Sequence, residues 1–386
     1  MEFTKTTLGE ISVGKGQYGI GASAVDYSED LYTYLRITDI NDDGTLNYTD
    51  LKSVDDEKAG NYILQPNDIV FARTGNSTGR NYFYDGTDGT LVYAGFLIKF
   101  SIDPAKVNPK YVKYYCLSEE YKGWVRGFST GSTRGNINAQ TYGNMPITLP
   151  PRKQQDKMVR ILDDLELKRA NNVTINRNLQ EQAMTLYKKM MLGLADTDFT
   201  EGVLSDIADI VMGQSPKGDT YNQNGDGEVF YQGRAEFGDR FPTRRLFTTD
   251  PKRMANENSV LMSVRAPVGD INVAYEKCCI GRGLCAVSSK DNHQSFVLYT
   301  MYNLKHKFDV YNGEGTVFGS INRDAMNDMP IQVPQQDILD RFEDVVSPID
   351  SMIRANYEEN CRLISMRNFI LPKLMSGELD LSNIDI

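Results

Sequence analysis

The chain has 386 residues, of which 40% are hydrophobic and 24% charged, as expected for an ordinary globular protein of two to three domains. Its net charge of −10 argues against gripping nucleic acid by bulk electrostatics, although a locally basic groove would still allow binding. Five Cys without a C-x-x-C pair and only two His disfavour a structural zinc and His-based catalysis. Without a long apolar run or a leader-like start, we expect a cytoplasmic protein that has no membrane partner.

Residues 1–144 predict a mixed α+β domain, because short apolar runs alternate with turn signals. Segments 32–40, 68–73 and 91–100 are predicted strands. Asn108 followed by Pro109 predicts the cap and first turn of a helix.

Residues 145–196 are repeated 184 positions later without a gap. Met145-Pro146-Ile147 returns as Met329-Pro330-Ile331, and Asn172 falls on Asn356. Two copies of one segment, separated by unrelated sequence, indicate an internal duplication.

Each copy predicts a long helix. Residues 152–192 contain neither Gly nor Pro, which allows a helix of roughly 60 Å at about 1.5 Å per residue. Pro348 and Pro372 predict that the second helix is shorter or kinked. Seven-residue spacing predicts that the two helices pair, with an Asn at one seam position fixing the register unless it is merely solvated. The predicted pairing residues are Leu165, Asn172, Leu179 and Leu186 in the first copy and Ile349, Asn356, Leu363 and Ile370 in the second.

Residues 200–328 repeat the plan of the first domain at low similarity, and no low-complexity linker separates the parts. The predicted fold class is α+β, with two mixed α/β domains separated by an antiparallel pair of long coiled-coil helices in a pseudo-two-fold cyclic arrangement. The N-terminal domain is predicted to pack against the end of the second helix. The predicted parts are a first domain (1–144), a first helical spacer (145–198), a second domain (199–328) and a second helical spacer (329–386).

This order of parts resembles the specificity subunit of a type I restriction–modification system. The matching motifs are Met145-Pro-Ile-Thr-Leu-Pro-Pro151 with its following helix, and Leu371-Pro-Lys-Leu-Met-Ser-Gly-Glu-Leu379. The resemblance covers essentially the whole chain, and it implies that 1–144 and 199–328 are target-recognition domains.

The resemblance further implies a DNA-binding subunit that is not an enzyme by itself. Each domain would read one half of a bipartite, asymmetric duplex, and the helices would set the spacing between the halves. Two methylation subunits carrying S-adenosylmethionine would methylate adenine at N6, and restriction subunits would join the complex. The alternative is an acidic helical scaffold for protein interaction without direct DNA readout.

Motifs that imitate active sites lack their required context, so no catalytic or metal-binding residue is predicted. The sequence Asn108-Pro-Lys-Tyr111 differs from a methyltransferase loop at its third residue. The glycine-rich segment 14–19 lacks the terminal Lys-Ser/Thr of a phosphate loop. Glu120-Tyr121-Lys122 would need an acidic partner on a strand to act as a nuclease site, and it lies in a segment predicted to be helical.

Base reading requires donors and acceptors held on rigid turns. Gln17-Tyr18 and Gln214-Ser215 are predicted to occupy equivalent turns, and Arg265 is predicted to take the place of Arg73. The run 234–245 interleaves Arg with Phe, which suits a backbone-gripping loop. For the arginines at the strand ends the alternative is a structural ion pair, and for the Gln pairs it is a solvated turn. The run 234–245 could instead be a plain charged surface, and Arg134, Asn136 and Asn138 could only cap the following helix. The predicted DNA-binding residues are Gln17, Tyr18, Arg73, Ser77, Arg80, Arg134, Asn136, Gln214, Ser215, Arg234, Arg240, Arg244, Arg245 and Arg265.

Overall fold

A computed structural model describes residues 3–128, 135–195, 197–312, 319–382 and 384. The chain divides into two compact units. Unit 1 contains Met1–Ala170 and Glu359–Ile386, and unit 2 contains Asn171–Glu358. Each long helix therefore contributes to both units.

The described residues of the first part of the chain form three sheets and three short α-helices before the first long helix. Two sheets have four strands, in the orders β2-β9-β6-β7 and β3-β5-β4-β8, and β1 pairs with β10. The elements are β1 (Thr4–Thr7), β2 (Ser12–Tyr18), β3 (Ala24–Asp26), β4 (Tyr32–Leu35), β5 (Lys52–Val54), β6 (Asp68–Ala72), β7 (Asn81–Tyr84), β8 (Leu91–Tyr93), β9 (Leu97–Ile102), α1 (Pro109–Tyr115), α2 (Glu119–Arg126), α3 (Ala139–Gly143), β10 (Pro146–Leu149) and α4 (Arg152–Leu192).

The second part repeats this plan and ends in the second long helix. Its sheets have the orders β12-β20-β17-β18 and β13-β15-β14-β19-β16, and β11 pairs with β21. The elements are β11 (Phe199–Val203), α5 (Leu204–Ile207), β12 (Ala208–Met212), β13 (Tyr221–Asn222), β14 (Glu228–Tyr231), β15 (Phe247–Thr248), β16 (Met254–Ala255), β17 (Val260–Ser263), β18 (Ile271–Val273), β19 (Cys278–Ile280), β20 (Leu284–Ser289), α6 (Gln294–Asn303), α7 (Lys305–Phe308), α8 (Arg323–Asn327), β21 (Pro330–Pro334) and α9 (Gln336–Ser376).

Two predicted strands are shorter than the apolar pattern indicated. Segment 32–40 is extended only to Leu35, because the Arg36 side chain and backbone bind the Asp39 carboxylate and close a 3₁₀ turn. Segment 91–100 is two strands, β8 and β9, separated by a turn at 94–96. Local hydrogen bonding has overridden hydrophobic periodicity in the first case.

The two long helices have equal length, so the predicted shortening of the second is wrong. α4 and α9 each contain 41 residues. Pro348 and Pro372 are exposed, as are the residues four positions earlier, Asp344 and Asn368. The carbonyl groups that the two prolines leave unpaired can therefore be hydrated, which allows the helix to continue.

Within unit 1, the two helix segments run antiparallel. The Glu166 carboxylate binds Arg367 at 2.7 Å, and Lys168 lies 3.2 Å from Glu359. The unit 1 core joins Leu8 of the first domain to Leu374 of α9, both fully buried. The predicted packing of the N-terminal domain against the end of the second helix is confirmed.

Within unit 2, the other halves of the helices are also antiparallel. The Asn356 side chain donates to the Asn176 side-chain oxygen at 2.8 Å, and Asn176 donates to the Ile353 carbonyl at 3.0 Å. Leu186, predicted to face the partner helix, is 37% exposed, whereas Tyr187 is buried against the Phe342 ring. A straight helix drifts from a strict seven-residue repeat, so the seam passes to the next residue.

The mixed α/β fold with antiparallel long helices, predicted from the sequence, is confirmed. The other predicted pairing residues, Leu165, Leu179, Ile349, Leu363 and Ile370, are partly buried, and Asn172 is 1% exposed. Among the helices of the described residues, none is long and apolar enough to cross a membrane.

Candidate nucleic-acid interface

In unit 1, exposed polar and aromatic side chains gather where β6 ends. The Arg73 carbonyl accepts from the Ile137 N–H at 2.9 Å, which places residues 73–74 beside 136–138. The Arg73 guanidinium lies 5.1 Å from the centre of the Tyr18 ring, close enough for a cation–π contact. The Tyr18 hydroxyl accepts from the Ala139 N–H at 3.1 Å. These bonds hold the two side chains in a defined geometry.

Phe96 completes this surface. Its carbonyl accepts from the Arg73 N–H at 3.0 Å, and its ring is 59% exposed although it is a large apolar group. The Nε of Arg73 is buried and has no hydrogen-bond partner within the described residues. We name Tyr18, Arg73, Phe96 and Asn136 the first rim.

Unit 2 forms a corresponding surface where β17 ends. The Val264 carbonyl accepts from the Ile321 N–H at 3.1 Å, and Arg265 bridges to Ser320. The Ser215 hydroxyl accepts from the Arg282 N–H at 3.2 Å, and Gln214 bonds through its N–H to Ile280. We name Gln214, Ser215, Arg265 and Arg282 the second rim.

The two arginines of the second rim are available to a ligand. Arg265 and Arg282 are exposed, and their side chains form no hydrogen bond or ion pair with the part of the chain that the structure describes. An exposed guanidinium can bind guanine O6 and N7 together or grip a phosphate.

The predicted equivalences between the two domains are wrong by one and by three residues. The bridge of Arg265 to Ser320 corresponds to that of Thr74 to Asn136, so Arg265 matches Thr74 and not Arg73. Similarly, the Gln214 N–H bonds to Ile280 as the Ile20 N–H bonds to Tyr93, so Gln214 matches Ile20. Gln17 and Tyr18 end strand β2 and do not form a turn.

Of the other candidates in the first domain, one is buried and one is ion-paired. Ser77 is 8% exposed. Arg80 forms an ion pair with Asp42 at 2.7 Å and donates to the Ile40 carbonyl at 3.1 Å. Gln17 is exposed and pairs through its backbone with Lys99. Arg134 lies outside the described residues.

The arginine-rich run at 234–245 does not form a free basic loop. Arg234, Arg244 and Arg245 each bind a carboxylate, and Glu236, the partner of Arg245, is almost fully buried. Arg240 is only 7% exposed and binds Asp350 of α9. The carboxylate partners of the other two are Asp270 for Arg234 and Glu276 for Arg244. The arginines of this run are therefore ion-paired, and Arg240 is also buried.

The three motifs that imitate active sites in the sequence have structural roles. The Asn108 side chain caps α1 by accepting from the Lys110 N–H at 3.0 Å, as predicted. Glu120 lies in helix α2. The glycine-rich segment 14–19 belongs to strand β2 and the turn after it.

Phe96 and Arg282 were missed by reasoning from the sequence. Phe96 follows Gly95 inside an apolar run that looked like a continuous strand, so its exposure was hidden. Arg282 stands between Gly281 and Gly283 in the turn from β19 to β20. An Arg flanked by glycines between two apolar runs is a signal that could have identified it.

Comparison with known proteins places this geometry in a family. The family model described as "Type I restriction modification DNA specificity domain" matches residues 2–181 and again residues 197–358. These two matches cover most of the chain, so the protein belongs to the type I restriction–modification DNA specificity family. The resemblance identified from the sequence is confirmed, and the chain is a non-catalytic subunit that supplies DNA sequence specificity.

Individual relatives agree with this assignment. A protein of Methanocaldococcus jannaschii assigned as the MjaX type I restriction enzyme specificity subunit is 28% identical, over 90% of this chain and 87% of that protein. The MjaIX specificity subunit of the same organism is 22% identical, over 71% and 69% of the two chains. The crystal structure of the type I system S subunit from M. genitalium has a TM-score of 0.56 and 15% identity, covering 97% of this chain and 96% of that one, and shares its fold.

Proposed function

We propose that the first and second rims read the two halves of a bipartite, asymmetric target in duplex DNA. The observation that carries this proposal is that one duplicated framework presents different side chains at equivalent strand ends. The first rim offers an Arg stacked on a Tyr beside an exposed Phe, and the second offers Gln, Ser and two Arg. Because the two side-chain sets differ, the two half-sites should differ in sequence.

The chemistry of each rim suits base edges. Arg73 can donate two hydrogen bonds to guanine O6 and N7, and its contact with Tyr18 restricts the guanidinium plane before DNA arrives. Gln214 can both donate to and accept from adenine at N7 and N6. Phe96 can contact a thymine methyl group.

In the complete assembly, we infer that this cytoplasmic chain positions other subunits and forms no bonds itself. Type I specificity subunits act with methylation and restriction subunits. For this chain we propose two methylation subunits, each carrying S-adenosylmethionine and methylating an adenine at N6. The target adenine would be extruded from the duplex into the methylation subunit, since N6 chemistry requires access that stacking denies.

The test measures duplex binding by the chain assembled with its methylation subunits, at fixed salt. Arg73→Ala should weaken binding by about 5- to 150-fold on the intact target, since a bidentate base contact is worth about 1–3 kcal/mol. It should have little effect on a duplex whose first half-site is already scrambled. Arg265→Ala should show the reverse dependence, on the second half-site.

Lys58→Ala is the matched control, because Lys58 is exposed in unit 1 and its side chain has no partner in the described residues. It removes one positive charge without touching a rim. If Arg73→Ala and Lys58→Ala weakened binding equally on intact and scrambled duplexes, base reading by the first rim would be refuted.

A replacement of residues 200–328 by those of a relative provides a second test. Methylated-adenine mapping should show one altered half-site and one unchanged half-site. Alteration of both halves would contradict independent reading by the two domains.

A further inference from the structure

Unit 1 contains a polar cleft of about 960 Å³ that begins at Tyr18 of the first rim. Its walls are the first part of β2, the turn at 7–10 and helix α3. Four glycines leave the main chain uncovered along it, and its exposed side chains with hydrogen-bond donors include Lys15, Gln140 and Asn144.

The cleft owes its shape to an irregularity in β2. Val13 pairs with Ser101 but Gln17 pairs with Lys99, so β2 contains two more residues than β9 over this interval. Gly14 supports the bulge with φ of +76°, where a side chain would be strained. At Gly16 a Cβ atom would lie 2.5 Å from the Phe100 ring. Lys15, between these glycines, is held out at the edge of the cleft.

The acidic residue in the cleft, Glu10, has a structural role. Its carboxylate accepts from the Thr6 hydroxyl at 2.8 Å and from the Thr7 N–H at 3.0 Å, and these bonds lower its pKa. In unit 2 the Asp206 carboxylate accepts from the Val203 N–H at 2.8 Å in the same manner. Since both units retain this contact, Glu10 does not distinguish the cleft of unit 1 from the equivalent surface of unit 2.

The equivalent surface of unit 2 is more acidic. β12 and β20 pair in continuous register from Ala208–Ser289 to Met212–Cys285, so Asp209 stands where unit 1 has Val13. Helix α8 is capped by Asn322 as α3 is capped by Asn138, with side-chain bonds of 2.8 Å in both. In that alignment, Asp324 is the equivalent of Gln140 and Asp328 is the equivalent of Asn144.

In unit 2, Asp324 and Asp328 thus replace two amides, Asp209 replaces Val13 and Arg323 replaces Ala139. The bulge that carries Lys15 is missing from β12. Carboxylates repel a phosphate, whereas an ammonium and amide N–H groups bind it. The two surfaces cannot serve the same anionic ligand equally well.

We propose that the cleft of unit 1 binds the sugar–phosphate backbone of the duplex beside the half-site read by the first rim, and that the equivalent surface of unit 2 does not. This inference rests on the proposed function. A concave surface fits the convex ridge of a backbone strand, whereas base edges lie inside a groove and require side chains that reach into it. Lys15, Gln140 and Asn144 would position the duplex without selecting its sequence.

The experiment uses the chain assembled with its methylation subunits and measures duplex affinity from low to high salt. Lys15→Ala should weaken binding about equally for intact and scrambled targets, and should reduce the slope of log K against log salt by about 1. The pair Gln140→Asp and Asn144→Asp, which copies unit 2, should weaken binding further at low salt. Lys58→Ala should leave the salt slope unchanged.

An unchanged affinity and slope in both cleft variants would overturn the inference. Loss of assembly with the methylation subunits at unchanged DNA affinity would also overturn it, since the cleft would then bind protein. Failure of the proposed function is separable. Suppose that Arg73→Ala and Arg265→Ala weakened binding without regard to DNA sequence while Lys15→Ala weakened binding to every duplex. Base reading by the two rims would then be refuted, and backbone binding by the cleft would be supported.

Discussion

Replacement of Arg240 offers a direct test of its assignment as a structural residue. Arg240 is 7% exposed and binds Asp350, which also accepts from the Tyr299 hydroxyl at 2.9 Å. The guanidinium lies 5.8 Å from the Tyr299 ring centre and 5.9 Å from that of Tyr302. In unit 2 this contact ties the recognition domain to α9.

Arg240→Met removes the positive partner of the Asp350 carboxylate, which is largely shielded from water. Among the described residues, the carboxylate then keeps only its hydrogen bond from the Tyr299 hydroxyl. Removing one member of a buried ion pair costs about 3–5 kcal/mol, because the remaining charge is uncompensated. For a cooperative unit of this size, that corresponds to a fall in melting temperature of roughly 6–20 °C. Replacing both residues, as Arg240→Met with Asp350→Leu, should restore most of the loss, because an apolar pair of similar volume is often neutral.

Thermal unfolding and duplex binding, measured on the same preparations, check this reasoning. The double variant should melt near the native temperature and retain native affinity and salt dependence for DNA. A double variant that is stable but binds DNA more weakly, with a salt slope reduced by about 1, would show that Arg240 does contact phosphate. A single variant that melts like the native protein would refute the buried ion pair.

Three further predictions concern the long helix α9 in unit 2. Burial raises the pKa of Glu343, so the stability that the protonated Glu343 contributes is lost as pH rises from the pKa of an unfolded Glu through the higher pKa of the folded state. The melting temperature of Glu343→Gln, minus that of the native chain, should therefore increase from pH 4 to pH 7. The hydrogen bonds from His293 and Gln336 lower the pKa of Asp340, so the destabilisation caused by Asp340→Asn should shrink as pH falls toward 3. If the stabilities of the Glu343→Gln and Asp340→Asn variants, relative to the native chain, changed in parallel with pH, both pKa assignments would be contradicted. Asn356→Leu should cost about 1–3 kcal/mol by leaving the Asn176 oxygen without its donor, whereas adding Asn176→Leu should recover stability but loosen the pairing register. Melting curves with cysteine cross-linking across the helix pair measure both effects, and a single variant as stable as the native chain would exclude the register role.

The long helices were predictable because their signal is repeated many times. Residues 152–192 lack Gly and Pro and carry seven-residue spacing throughout, so one ambiguous position cannot change the assignment. The same offset of 184 relates the short helices α3 and α8 and their Asn caps, which the sequence analysis did not predict. Leu186 failed because helical drift accumulates toward the end of the repeat.

The candidate site was less predictable because a sequence does not reveal distant partners. Arg240 binds the carboxylate of Asp350, which is 110 residues away in the sequence, and Arg80 binds Asp42, which is 38 residues away. In the sequence these arginines resemble Arg265, whose side chain has no such partner in the described residues. In all three cases the fold decides which guanidinium remains available.

Internal duplication supplies a way to separate framework from reading residues without other sequences. Positions that hold the chain together are kept in both copies: Gly19 and Gly213 would each place a Cβ atom within 2.3 Å of a carbonyl oxygen. Glu10 and Asp206 likewise share one backbone bond. By contrast, exposed positions on the same framework have diverged in charge, as Gln140 and Asp324 have. Since packing constrains the first class and not the second, differences between the two copies identify the surfaces where each unit meets its own ligand.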